Sequence, residues 1–230
     1  MKRSIEWAAG EGGGGEPSIG IVFEEFTETA DPSGTTVTIA KPGGTNEGDL
    51  LVAAVATDGN SASSLTPPAG WSEISVGQEG GDVTFGVWWK IAGSGEPAQY
   101  QFTWAGTQEC YAWIMRFSGH DPSSPIATAA VSSGSSKTPL STNLITSTDN
   151  MLILRLGGFD DDDITYDAPG LDGHTAITMD QSSEGHGTVS GGAGYATQAT
   201  AGDTGTSNFQ LLMREQYRTV TVAIRPAPIP

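Results

Sequence analysis

Two stretches about a hundred residues apart follow one plan. Residues 48–71 read GDLLVAAVATDGNSASSLTPPAGW: an acidic turn, an apolar run, a loop of small residues and a Pro-Pro-Ala-Gly-Trp corner. Residues 149–171 read DNMLILRLGGFDDDDITYDAPGL: the acidic turn again, an apolar run, a polar loop and a Pro-Gly corner. A short apolar run bounded by turn residues reads as a strand buried on both faces. A chain that does this twice is expected to be a duplicated all-β unit.

The rest of the chain carries the same echo. In residues 83–91, Val83, Phe85, Val87, Trp89 and Ile91 share one face, and Thr84, Gly86, Trp88 and Lys90 share the other. Tyr100, Phe102 and Trp104 alternate in one later segment, and Tyr111, Trp113, Met115 and Phe117 in the next. In the second half, 142–146 parallels 36–39, 151–156 parallels 50–55, and 168–171 parallels 68–71. Residues 189–199 are a Gly-rich counterpart of 83–92, Phe209 stands for Phe102, and 217–225 parallels 110–118. Residues 19–26 and 35–40 are further strand candidates. Residues 209–217 (FQLLMREQY) contain good helix formers, but their place in the repeat argues for a strand.

The expected architecture is an all-β, jelly-roll-like antiparallel β-sandwich built from two sequence-similar halves, 35–118 and 140–227, whose strands interleave into one domain spanning 19–230, with two side-by-side sandwiches as the alternative. Residues 119–139, rich in Ser, Pro and Ala, are expected to be the connection. Residues 1–18 are a Gly-rich arm with Ile5 and Trp7 as its only large apolar side chains.

Composition narrows the setting. The 230 residues suffice for a sizeable core, and 32 glycines with only 16% charged residues suit many short strands joined by turns. A net charge of −17 repels phosphate backbones and anionic bilayers, so no nucleic-acid or membrane partner is expected. The single cysteine, Cys110, permits neither an internal disulfide nor a Cys-based metal site, and its apolar flank predicts a buried thiol. The N-terminus has two basic residues and no hydrophobic segment after them, so it does not read as a secretory signal.

These features together carry a family resemblance. The GDLLVA start, the PPAGW corner, the GSGEP turn leading into YQFTW, the FSGHDPSSPI connection, GYATQATAGDTGT and the closing VTVAIRP span about 35–227. They resemble the duplicated β-sandwich repeats of bacteriophage structural proteins (tail fibre, decoration and other virion surface proteins) and of bacterial surface proteins. The resemblance implies a fold and brings no catalytic residues with it. The chain departs from it at the acidic 160–163 loop and at the small residues 189–194, where the first half has aromatics.

Candidate chemistry is sparse. Asp160, Asp161, Asp162 and Asp163 are a candidate Ca2+ loop, because hard cations take several carboxylate and carbonyl oxygens. Consecutive aspartates point apart, however, so a solvated loop tip is the competing expectation. No other cofactor is expected. Trp88 and Trp71 are candidate ligand or interface aromatics, for glycan stacking or a subunit contact, whereas Trp89, Trp104 and Trp113 are assigned to the core. His120, His174 and His186 lie in turns without metal-ligand spacing. Glu24, Glu25, Asp82, Glu96 and Glu109 are carboxylates that could serve hydrolysis, with nothing in the pattern to select a pair.

The expectation is therefore a non-enzymatic structural protein of a virus particle. It would be a bacteriophage capsid decoration or tail/fibre component on the virion surface, assembling with itself or other virion proteins through Ile5 and Trp7 of its arm. The alternative is a carbohydrate-binding or adhesin module on a cell or virion surface. A β-sandwich hydrolase or lyase ranks last.

Overall fold

The computed structural model describes residues 20–183 and 187–228. Among the described residues every regular element is a strand. The first half supplies β1 (Val22–Ala40), β2 (Leu50–Asp58), β3 (Ser72–Glu79), β4 (Val83–Ile91) and β5 (Gln99–Ser118). The second supplies β6 (Ile126–Ser136), β7 (Leu140–Ser141), β8 (Met151–Asp160), β9 (Thr175–Gln181), β10 (Val189–Gln198), β11 (Ser207–Asn208) and β12 (Glu215–Ile224). One five-stranded sheet runs β1-β5-β2-β4-β3, the other β6-β12-β8-β10-β9, and β7 pairs with β11.

The all-β antiparallel sandwich is as expected, but its strand traffic differs from a jelly roll. Each half builds its own sheet, and the sheets pack face to face without exchanging strands. Set side by side, the two sheets have one connection scheme, with the apolar runs β2 and β8 at their centres. β2 packs on β8, β4 on β12 and β5 on β10. Ladder partners align Leu50 with Leu152, since these face Phe117 and Ile224 of the matching strands β5 and β12. That is one residue away from the pairing of 50–55 with 151–156 expected from sequence. One residue matters, because it decides which side chains face the core. Leu50, Val52, Ala54 and Ala56 point inward in one sheet, and Leu152, Leu154 and Leu156 in the other.

The inner core fits large against small. Phe85, Tyr111 and Trp113 project from the first sheet, with Trp113 stacked between the other two. The second sheet answers with Gly158 and Gly191. A Cβ on Gly158 would lie 2.8 Å from Phe85, and one on Gly191 2.6 Å from Trp113. Such contacts leave no room for a side chain at native packing density. Gly191 is the imprint of the opposing aromatics, whereas Gly192 and Gly194 make room for Met179 and Leu171 of their own half.

Each sheet is covered on its outer face as well, which is why β2 and β8 are buried almost throughout. β1 and β5 pair along most of their length, with register breaks between Asp31 and Thr36. Beyond the break this ribbon folds back over its own sheet, so that the Thr29 hydroxyl donates to the Thr38 carbonyl at 3.3 Å. Val37, Ile39, Tyr100 and Phe102 thereby cover Leu51, Ala53 and Val55. In the second half the corresponding ribbon is reduced to the two-residue ladder of β7 and β11.

Three local expectations change. The stretch 119–139 contains the edge strand β6, whose small side chains lack an apolar signature and which is held by its ladder with β12. Residues 22–26 and 35–40 of the two candidates belong to one bent strand, β1. In 209–217 only the residues from Glu215 onward join a strand. Phe209, Gln210, Leu211 and Leu212 instead hydrogen-bond to neighbouring loops through their amides.

Candidate functional site

The aromatic platform expected from sequence is inside the protein. Trp88 is 1% exposed and Trp71 9%. Trp88 lies across Gly86, whose Cβ would come within 2.2 Å of the indole, and packs against Phe102 at 5.3 Å between centroids. Trp71 meets Tyr100 edge-on at 5.1 Å. The folded-back ribbon is what covers both rings, so glycan stacking through Trp71 or Trp88 is excluded. Alternation placed Trp88 on the outer face correctly, but that face has a lid. Trp89, expected in the core, is only half-buried at the rim between the sheets. Ile5, Trp7 and His186 lie outside the described residues.

Carboxylates from both halves gather at one end of the sandwich. Asp58 ends β2, and Asp160 occupies the matching position at the end of β8. Asp82 lies in the β3–β4 hairpin, Glu109 on β5, and Glu215 opens β12. Burial first, then the charges of Asp82, Asp161 and Asp58, push the Asp160 carboxyl up to about 6. Burial followed by Asp163, Asp161 and Asp160 pushes Glu215 up to about 7. Asp58 is raised by burial and by Glu109, against the opposing hydrogen bond from the Gly59 amide. Asp160 and Glu215 therefore hold their protons closer to neutral pH than ordinary carboxylates do.

The tetra-aspartate loop belongs to this end, but it is neither a solvated tip nor a cation cage. All four side chains are half-buried. Asp161 adopts φ 64°, its amide donates to the Thr188 carbonyl at 3.0 Å, and its carboxylate accepts from the Thr188 hydroxyl at 3.1 Å. The Leu212 amide donates to the Asp163 carbonyl at 2.7 Å. Among the described residues no group of three or more His, Cys, Asp or Glu side chains is placed to hold a metal ion. The carboxylates are close enough to repel but do not converge on a point.

Glu109, one of the hydrolysis candidates, is tied to the opposite sheet. It accepts from the hydroxyls of Ser182 and Ser183 at 2.6 and 2.8 Å. Asp82 likewise accepts from Gln216 at 2.7 Å. Glu96 takes the Lys90 ammonium at 2.7 Å, and Glu24 lies 3.9 Å from Arg116. Burial acts to raise Glu96, but hydrogen bonds from the Gly93 amide, Lys90 and Tyr100 together hold it below its ordinary value. Each of these four carboxylates is engaged in holding elements together.

The most connected polar group was not singled out from sequence. Arg155, in the middle of β8, is 1% exposed. Its Nη1 donates to the Ser141 carbonyl at 2.8 Å and the Thr142 carbonyl at 3.1 Å. Its Nη2 donates to Gly205 at 2.7 Å and Nε to His174 Nε2 at 2.9 Å. Burial lowers its guanidinium to about 10. His174 donates from Nδ1 to the Asp172 carbonyl, so its other nitrogen is free to accept from Arg155. Burial, despite the Asp172 carbonyl, lowers His174 as well. A lone arginine in the apolar run MLILRLGGF was the available signal. In the first sheet the same position is Ala53, beneath aromatics. Cys110 is fully buried, and burial followed by Asp31 raises its thiol well above the ordinary value, as its apolar flank predicts.

No family model matches the chain, and neither curated proteins nor solved structures provide a match.

Proposed function

We propose that this chain is a non-enzymatic structural protein of a virus particle, a bacteriophage capsid decoration or tail/fibre component that assembles through its N-terminal arm. The observation that carries the reading is how the chain deploys its rich side chains. Trp71, Trp88, Trp104 and Trp113 are all buried. Arg155 is saturated by loop carbonyls and His174, and Glu109 and Asp82 stitch one sheet to the other. This is the chemistry of a rigid, acidic, double-covered slab. The motif resemblance to virion surface repeats points the same way. Deleting residues 1–18 is expected to abolish incorporation into particles while circular dichroism and thermal midpoint stay unchanged. Normal incorporation of the truncated chain would sink the proposal.

The two halves are read as copies of one ancestral unit. Left-handed backbone recurs at matched positions: Gly48 and Asn150, Gly59 and Asp161, Gly70 and Gly170. The amide of Gly59 bonds the Asp82 carbonyl just as that of Asp161 bonds Thr188. Superposing the sheets on β2 and β8 should bring all three pairs into coincidence. A failure of register at any of them argues for chance resemblance.

A further inference from the structure

We propose that the chain pairs with a second copy of itself through the free edge of β6, antiparallel and about a two-fold axis passing beside Val131. The proposal does not depend on a viral role.

Among the described residues each sheet ends in two edge strands, and an edge presents unpaired amides and carbonyls to any strand that meets it. Three of the four edges are defended. β1 carries Glu25, Glu28 and Asp31 and breaks register at Phe23/Glu25 and again after Asp31. β3 carries Glu73 and Glu79 with a break between Glu73 and Ser75. β9 carries Asp180, and its ladder with β10 shifts between Ala193 and Gly194. Carboxylates and bulges are the means by which natural sheets refuse edge-to-edge pairing.

β6 has neither along its centre. Its sequence, IATAAVSSGSS, contains no charge and no proline, and its only register break lies at the Ile126 end. The contrast with β1 holds position by position. Ladder partners equate Glu25 with Thr128, Glu28 with Val131 and Asp31 with Gly134. Every acidic guard of the first edge is replaced by an uncharged residue in the second.

The occupant is fixed by charge and symmetry. A chain of net charge −17 is repelled by its own copies over most of its surface. Contact is therefore favoured where carboxylates are absent, and β6 is that place among the four edges. The strand is also self-complementary. Val131 is its midpoint and, at 40% exposed, its large apolar side chain still open to solvent. Antiparallel pairing about this point sets Val131 against Val131, Ala130 against Ser132, Ala129 against Ser133 and Thr128 against Gly134. Small side chains let the strands approach, and the second sheets of two copies become one continuous sheet. The Ser135 carbonyl, which accepts from Arg214 at 3.1 Å, lies just outside this stretch.

Sedimentation equilibrium of the full chain over a wide concentration range tests the proposal. A reversible monomer–dimer equilibrium is expected, the heavier species having twice the 23.7 kDa chain mass. Val131→Glu and Val131→Lys should each weaken the dimer at least about tenfold, because like charges then face each other at the axis. An equimolar mixture of the two variants should restore it. A second pair of variants guards against misfolding, since Ala129 and Ser133 are exposed. Ala129→Glu/Ser133→Glu should dissociate the dimer, and Ala129→Lys/Ser133→Glu should retain it. A chain that stays monomeric, a dimer indifferent to charge at Val131, or a mixture that fails to recover each overturns the proposal. The dimer should survive removal of residues 1–18, which separates this result from the assembly role proposed for the arm.

Discussion

A single side chain, Arg155, shows how much structure one residue can organise. It sits where the outer face of the second sheet would otherwise be apolar, and it gathers three segments, two through the Ser141, Thr142 and Gly205 carbonyls and the third through His174 Nε2. Burying a guanidinium without a carboxylate is tolerable only because its donors find acceptors. Replacing it with Met should cost about 3 kcal/mol or more, since the Ser141, Thr142 and Gly205 carbonyls lose a buried donor together. Lys should rescue only in part, because one ammonium cannot span the fork. Urea unfolding of both variants measures this, and a loss below about 1 kcal/mol for Arg155→Met would show the loops to be held by other contacts.

Elements succeed here by matching an opposing surface. Gly191 of β10 lies where Tyr111 and Trp113 of β5 leave no room for a side chain. Gly191→Ala should destabilise by about 1–3 kcal/mol, the usual cost of overpacking, as its methyl meets Trp113. Paired with Trp113→Leu, its cost should shrink. A double-mutant cycle that gave strict additivity would refute the proposed interlock. Strand β6 makes the complementary point: it forms because β12 supplies a ladder, and nothing in its own side chains demands a strand.

For the molecule as a whole, the acidic end predicts unusual pH behaviour. The folded-state values of Asp160 and Glu215, about 6 and about 7, stand above their ordinary 3.8 and 4.5. The folded chain therefore binds protons first, and stability rises as pH falls through this window. The gain is complete below the ordinary values and is lost as pH climbs past the folded ones. Asp58 and Asp180 shift in the same direction. His174 opposes them: its folded value is lowered from 6.5, so below that pH the unfolded chain is protonated first. Because Asp160 and Glu215 titrate within this window, the thermal midpoint should be higher at pH 5.5 than at pH 7.5. Asp160→Asn with Glu215→Gln should raise stability at pH 7.5, by on the order of 1 kcal/mol after solvent screening, and flatten the rise of the midpoint on acidification. A midpoint that falls on acidification in the unmodified chain would contradict this account. Added salt should also stabilise, by screening the self-repulsion of a chain at −17.

Periodicity made most of the strands and the two doubly buried runs legible, because alternation and turn chemistry are local. Asp160 and Arg155 were visible as residues but not as parts of a cluster, because the carboxylates and carbonyls around them are supplied by distant segments. The fate of Trp88 depended on a ribbon that folds back at a register break, which alternation cannot foresee. β6 stayed hidden because its strand is imposed by a neighbour. Backbone geometry and side-chain parity are written residue by residue along the chain. Burial, proton affinity and the openness of an edge arise only when segments far apart in sequence share one environment.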